Sequence, residues 1–378
     1  MNIDVSALKY DERAIFALRS LYSAYGYSYY KMSKFEEYDL YVRNKDFLVS
    51  DSVITFTDTN GRLMALKPDV TLAIIRHIHD EPGVVQKLTY NENVYRVSQK
   101  THTFKEIMQV GLECIGAIDD YCICEVLELA ALSLRRISPH CVLDIAHLGI
   151  LAAIIDDFSF SERSRADILR CASEKNAHEL RSICRRSGVE ENKAQALLDL
   201  VSLCDRPREA LPKLRALLGK SGSARLADQL AQLERIVGVF AGTDVEDMLR
   251  VDFSVVNDLN YYNGIVFRGF VEGVPTGVLS GGQYDRLMRK MKRQSGAIGF
   301  AIYLDLLERL NTAAREYDVD TLLLYDRGDS PERVRACVKE LAAEGGSVCA
   351  QKEVPQGCRF RRLMKLTESG ATPIEGHA

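Results

Sequence analysis

The sequence predicts an α+β protein: an antiparallel sheet flanked by helices, interrupted by a helical insertion and followed by a small, partial α/β module. Its short β-rich runs come as hairpin-like pairs with helices between the pairs, not as a strict strand–helix alternation. From Ser161 to about Phe240 the apolar residues repeat at helical spacing almost throughout. Beyond residue 318 strand and helix patterns alternate again. These changes place four segments at 1–158, 159–245, 246–312 and 318–378, the second an insertion that divides a core formed by the first and third.

Residues 9–25 predict a helix with Ile15, Leu18, Leu21 and Tyr22 on one face. Ile54, Phe56 and Leu63, Ala65 flank Asp58-Thr59-Asn60-Gly61, where Asn-Gly offers the positive φ angles of a tight hairpin. Pro68 and Asp69 suit the start of a helix over 69–79. The runs Val84–Tyr95 and Glu106–Ile115 bracket a polar connection and predict an antiparallel pair, followed by a helix at 124–136 and a strand at 142–147. In the insertion, breaks at Gly188, Asp205-Arg206-Pro207 and Ser221-Gly222-Ser223 divide the pattern into about four helices. Strands return at Val251–Val255 and Tyr261–Phe267, with a turn at Glu272-Gly273. Gly281-Gly282 leads into a basic helix, and 299–312 predicts an amphipathic one. The last segment predicts a βαβα unit, with strands at Thr321–Tyr325 and Ser347–Ala350 and helices at 331–343 and near 359–368.

The bulk composition excludes several classes of function. The 378 residues are 47% hydrophobic and 27% charged, ordinary for a globular protein. No apolar run approaches the roughly 20 residues that span a bilayer, and no secretory signal is visible, so a cytoplasmic location is expected. The ten cysteines are scattered, with no Cys-x-x-Cys pair, and read as core thiols; no metal and no cofactor is expected. A net charge of −4 opposes tight binding of a polyanion. Arg359, Arg361, Arg362 and Lys365 form a local basic patch, read as a solvated helix face.

Three clusters place polar groups at strand ends or within β-rich runs: Leu66-Lys67-Pro68-Asp69-Val70-Thr71; Tyr95-Arg96 with Gln109-Val110-Gly111-Leu112-Glu113; and Leu259-Asn260-Tyr261-Tyr262 with Gly281-Gly282-Gln283-Tyr284-Asp285. A buried carboxylate such as Glu113 is costly alone and calls for a cationic partner. In this order and spacing the clusters resemble the histidyl-tRNA synthetase group of class II synthetases, over residues 9–312 and more weakly over 318–378. Gly26–Tyr41 is similar to motif 1, Tyr95–Gly111 to motif 2 and Gly299–Arg309 to motif 3. The resemblance implies an amino-acid pocket of Asp69, Thr71, Arg96, Gln109, Glu113, Tyr261 and Tyr262, with Gln109 and Glu113 holding the ammonium and imidazole of histidine.

The departures bear on activity. Leu306 stands where motif 3 carries an ATP-clamping arginine, and Asn257 stands where the histidine-specific segment carries a second one. Ser98 replaces a glutamate that touches adenine, and Thr103 occupies an arginine position in the motif 2 loop. Ser33 replaces a motif 1 proline. Fixed cations supply much of the stabilisation of adenylate formation, so recognition without activation is expected. One group in this superfamily shares that pattern: the regulatory subunits that pair with a short-form ATP phosphoribosyltransferase catalytic subunit. The resemblance to it, to which Asp144–Gly149 with His147 contributes, implies that partner, self-association through the synthetase-like interface, and histidine as effector. The C-terminal module looks like the first half of an anticodon-binding domain, and tRNA is not expected as a partner.

Overall fold

Strands from widely separated parts of the chain join in one nine-stranded mixed sheet. The computed structural model describes residues 8–48, 53–81, 83–98, 101–156, 160–218, 223–255, 261–310 and 317–374. They divide into two units, Met1–Leu310 and Asn311–Ala378.

In the first unit, helix α1 (Tyr10–Ala24) precedes the short strands β1 (Ser28–Tyr29) and β2 (Phe35–Glu37) and helix α2 (Tyr38–Arg43). The hairpin β3 (Thr55–Thr57) and β4 (Leu63–Leu66) joins β2 in a separate three-stranded sheet. Its turn is a three-residue loop in which Gly61 takes φ +78° and Asn60 does not turn left-handed. Helix α3 (Val70–His77) leads to the long pair β5 (Gln86–Val97) and β6 (Phe104–Gly116). Then come α4 (Asp120–Ile137), β7 (Cys141–His147) and α5 (Leu148–Asp156). Helix α1 packs on α4, where the Tyr22 and Ser133 hydroxyls meet at 2.9 Å.

The insertion contains five helices among the described residues, where the breaks in the sequence indicate four: α6 (Glu162–Ser173), α7 (Ala177–Arg186), α8 (Glu191–Ser202), α9 (Pro207–Leu218) and α10 (Ala224–Gly238). The additional break lies at Lys175, with φ +52°, and Asn176, whose side chain caps α7 by accepting from the Glu179 N–H at 3.1 Å. Between α8 and α9 the two-residue strand β8 (Cys204–Asp205) pairs with β9 (Leu249–Asp252) at the sheet edge. Leu180, Leu197, Leu214 and Leu233 of these helices share one buried core with α4 and the sheet.

The chain then completes the sheet with β10 (Ile265–Val271), β11 (Leu279–Gln283), the short helix α11 (Asp285–Lys290) and β12 (Gly296–Tyr303). The strand order is β1-β5-β6-β12-β11-β10-β7-β9-β8, antiparallel from β5 to β7, with parallel pairs β1–β5 and β7–β9. Two expectations are corrected. The strand expected at Tyr261–Phe267 begins at Ile265, which leaves both tyrosines in the preceding loop. The helix expected at 299–312 is a strand to Tyr303 and a 3₁₀ segment at Leu304–Leu310. β12 is central and buried on both faces, so it lacks the alternation that marks a strand.

The second unit is a four-stranded sheet, β14-β13-β15-β16, from β13 (Val319–Leu324), helix α12 (Pro331–Ala343), β14 (Val348–Gln351), β15 (Phe360–Thr367) and β16 (Gly370–Pro373). The expected helix near 359–368 is β15. Leu363 and Leu366 mimic helical spacing but enter different cores on opposite faces of the sheet. The basic patch is therefore no helix face: Arg359 pairs with Asp318, Arg362 with Glu344 and Lys365 with Asp326.

Candidate functional site: a cleft over the central sheet

Strand alternation puts Gln109, Gly111 and Glu113 of β6 on one face. Register sets Gly299 of β12 opposite Glu113, where a Cβ would overlap the Glu113 carboxylate. Helix α3 starts above this face. Asp69 caps it, accepting from the Leu72 N–H at 2.8 Å, and Thr71 donates its hydroxyl to Glu113 Oε1 at 2.7 Å. Tyr284, at the end of β11, donates to Glu113 Oε2 at 2.6 Å.

Glu113 therefore has two hydroxyl donors and, among the described residues, no cation, contrary to the partner its burial calls for. Burial lifts its carboxyl to about 8; the hydrogen bonds from Tyr284 and Thr71 oppose the rise, and the nearby Asp69 adds to it. Burial also raises Asp69, against the Leu72 N–H and the Arg96 guanidinium. Lys67, with 0% side-chain exposure, reaches Glu92 at 2.9 Å and ties the strand leading into Asp69 to β5. Tyr261 stacks at a tilt on Tyr262, centroids 4.7 Å apart, and lies 6.0 Å from the Tyr284 ring.

These groups line one cleft of about 540 Å³. It brings together all the residues expected in the amino-acid pocket: Asp69, Thr71, Arg96, Gln109, Glu113, Tyr261 and Tyr262. It also includes Tyr90, Lys105, Arg268, Tyr284, Gly299 and Tyr303, which were not singled out as site residues. Arg268 was legible as a lone charge between Val266 and Phe270 on one strand face. Gly299 carries no signal until its strand partner is known. Leu306 also lines the cleft, beside Asp305, whose carboxylate accepts from the Met108 N–H at 3.0 Å. Ser98 and Thr103 close the β5–β6 connection, the Ser98 N–H donating to the Thr103 carbonyl at 2.9 Å. Asn257 lies outside the described residues.

His147 is a structural group. Its Nδ1 accepts from the Gly149 N–H at 3.1 Å, which leaves the proton on Nε2 to face Gln232 Oε1 at 3.0 Å. Burial lowers its pKa, and Gln232 of α10 in turn donates to Asp120 at the start of α4. The histidine thus fastens the end of β7 to the insertion. Among the described residues, no helix is long and apolar enough to cross a membrane.

Comparison with known proteins fits this geometry. The chain is 24% identical over 299 residues to the ATP phosphoribosyltransferase regulatory subunit of Oceanobacillus iheyensis, covering 78% of this chain and 72% of that one. Its fold matches a crystal structure described as an ATP phosphoribosyltransferase regulatory subunit/histidyl-tRNA synthetase from Bacillus halodurans C, with a TM-score of 0.72, 24% identity and 93% and 91% of the chains covered. It also matches a chain of the ATP phosphoribosyl transferase (HisG:HisZ) complex from Thermotoga maritima, with a TM-score of 0.59, 18% identity and 78% and 97% covered. The sequence profile of histidyl-tRNA synthetase matches residues 4–307. With that match over most of its length, and its cleft built on the matched segments, the chain belongs to the histidyl-tRNA synthetase family.

Proposed function

We propose that this chain is a regulatory, non-catalytic subunit of ATP phosphoribosyltransferase. It serves the first step of histidine biosynthesis beside a separate short-form catalytic subunit, and its cleft binds histidine as feedback effector. The observation that carries this reading is the contrast within the cleft: buried acid and aromatic groups suited to an amino acid persist, while Leu306 offers no charge to a nucleotide phosphate. The names of the relatives support the partner, and the synthetase-like core supports self-association.

The test is co-purification with a short-form catalytic subunit, followed by its activity assay. One hetero-oligomer with raised activity is expected; a catalytic subunit fully active alone would remove the proposed role. Histidine should inhibit the assembly, by favouring one of its states. Glu113→Ala should weaken that inhibition about tenfold, ~1.4 kcal/mol, while activation persists. Superimposable inhibition curves would place the regulatory site elsewhere.

A further inference from the structure

The cleft has two chemically opposite ends. At one stand the buried carboxyls of Asp69 and Glu113. Toward the other, Arg268 of β10 lines the same cleft. Among the described residues its guanidinium makes no hydrogen bond and has no carboxylate within ion-pair distance. Its stem passes over Gly277, where a Cβ would meet the side chain, and its guanidinium sits 5.5 Å from the Phe270 ring centroid.

The sheet register shows what lies between these ends. Arg268 is opposite Ser280, Ser280 opposite Ala301, Ala301 opposite Gly111, and Gly111 opposite Tyr90. Cross-strand partners share a face, so Arg268 and Tyr90 bound a row of three small residues. In the adjacent row Glu113 is followed by Gly299 and Gly282. The strands between the carboxyls and Arg268 thus contribute only small residues to the floor, and the side chains that lie over it are Tyr90 at Gly111 and Tyr262 at Gly282. β10 lies three strands from β6, about 14 Å at roughly 4.8 Å per strand, and the long Glu113 and Arg268 side chains narrow that gap to the size of a small zwitterion.

We propose that Arg268 is the specificity residue for the α-carboxylate of the amino acid held in this cleft, so that the site takes a free amino acid and discriminates against its amide. The proposal rests on the amino-acid reading of the cleft given above. Arg96 is less suited to the role: its Nε already donates to the Pro68 carbonyl at 3.1 Å, and its charge offsets the adjacent Asp69. Asp144, across from Arg268 on β7, neutralises it only in part. Burial and the neighbouring Asp252 raise the Asp144 carboxyl to about 7, so it is partly protonated near neutrality. A ligand carboxylate would give Arg268 a charge-assisted, bidentate partner.

The experiment is calorimetric titration of the full chain with L-histidine and with L-histidinamide, for wild type, Arg268→Gln and Arg268→Lys. Wild type should bind histidine at least about tenfold more tightly than the amide, within the range of one charged hydrogen-bonded contact. Arg268→Gln should lose that preference while binding the amide as wild type does, which also shows an intact fold; Arg268→Lys should retain part of it. Undiminished preference in Arg268→Gln would assign the carboxylate to another cation, and equal loss of both ligands would make Arg268 a structural residue; either overturns this inference alone. A wild type that binds neither ligand would overturn it together with the histidine site.

Discussion

Glu113 on β6 and Leu306, in the 3₁₀ segment that follows β12, line the same cleft, yet their surroundings are finished differently. Around Glu113 the acid groups are held: Thr71 and Tyr284 donate to its carboxylate, Asp69 is fixed by the turn it caps, and Lys67 with Glu92 secures the strand behind it. Around Leu306 the lining is an aliphatic side chain packed against the main core, beside Asp305, which is spent on a backbone N–H. A pocket can keep the residues that recognise a ligand and lose those that stabilise charge in a reaction, because Glu113 and Leu306 stand on different elements of the chain.

The largest effect expected from this contrast is on adenylation. Each missing transition-state cation costs about 10²–10³ in rate, so Leu306 and Asn257 together should leave histidine-dependent ATP–pyrophosphate exchange about 10⁴–10⁶ below that of a synthetase. Exchange at a synthetase rate would erase the distinction between the two surroundings.

Next in size is the support of the Glu113 end. Lys67→Met leaves Glu92 buried without its ammonium and should cost about 3–5 kcal/mol in urea unfolding. A cost within 0.5 kcal/mol would mean that the pair does not brace the Asp69 turn.

Titration of Glu113 should come third. Its folded pKa of about 8 lies above the ordinary 4.5. Its contribution to stability is therefore fully present below about 4.5 and is lost as pH rises through about 8. At ~1.4 kcal/mol per pKa unit, ionisation costs the ligand-free protein several kcal/mol. Glu113→Gln should raise the melting temperature relative to wild type at pH 9, and the gain should vanish near pH 5. A gain independent of pH would show that charge is not the cause.

The smallest effect should come from Leu306. Leu306→Ala should change histidine affinity by less than about threefold, near the ~0.7 kcal/mol that factor represents. A larger loss would make Leu306 part of the amino-acid site and blur the contrast.

The sequence made legible only those parts of the candidate cleft that depend on local geometry; that they form an amino-acid pocket is what the family resemblance implies. Gln109 and Glu113, four apart on a strand, necessarily share a face, and Pro68-Asp69 marks a helix start by its own chemistry. It missed the parts that depend on pairing. Tyr284 as the donor to Glu113, Gly299 as the gap that admits its carboxylate, and Arg268 at the far side become visible only once β6, β12, β11 and β10 are in register. The fold divides likewise. The β5–β6 pair and α4 were legible from pattern, whereas β12, an apolar run buried on both faces, and β15, whose Leu363 and Leu366 fall at helical spacing, read equally well as helix.

The short strand β8 has a consequence for how the molecule comes apart. It hydrogen-bonds the insertion into the edge of the main sheet, while Leu180, Leu197 and Leu214 join the core that also contains Leu127 and Phe267. The five helices therefore cannot melt and leave the sheet whole. Their loss would strip an edge strand and empty one side of the shared core. The helices of the insertion should exchange amide hydrogens in one cooperative block with the sheet, protection in α8 and α9 tracking that in β9 and β7 as denaturant is added.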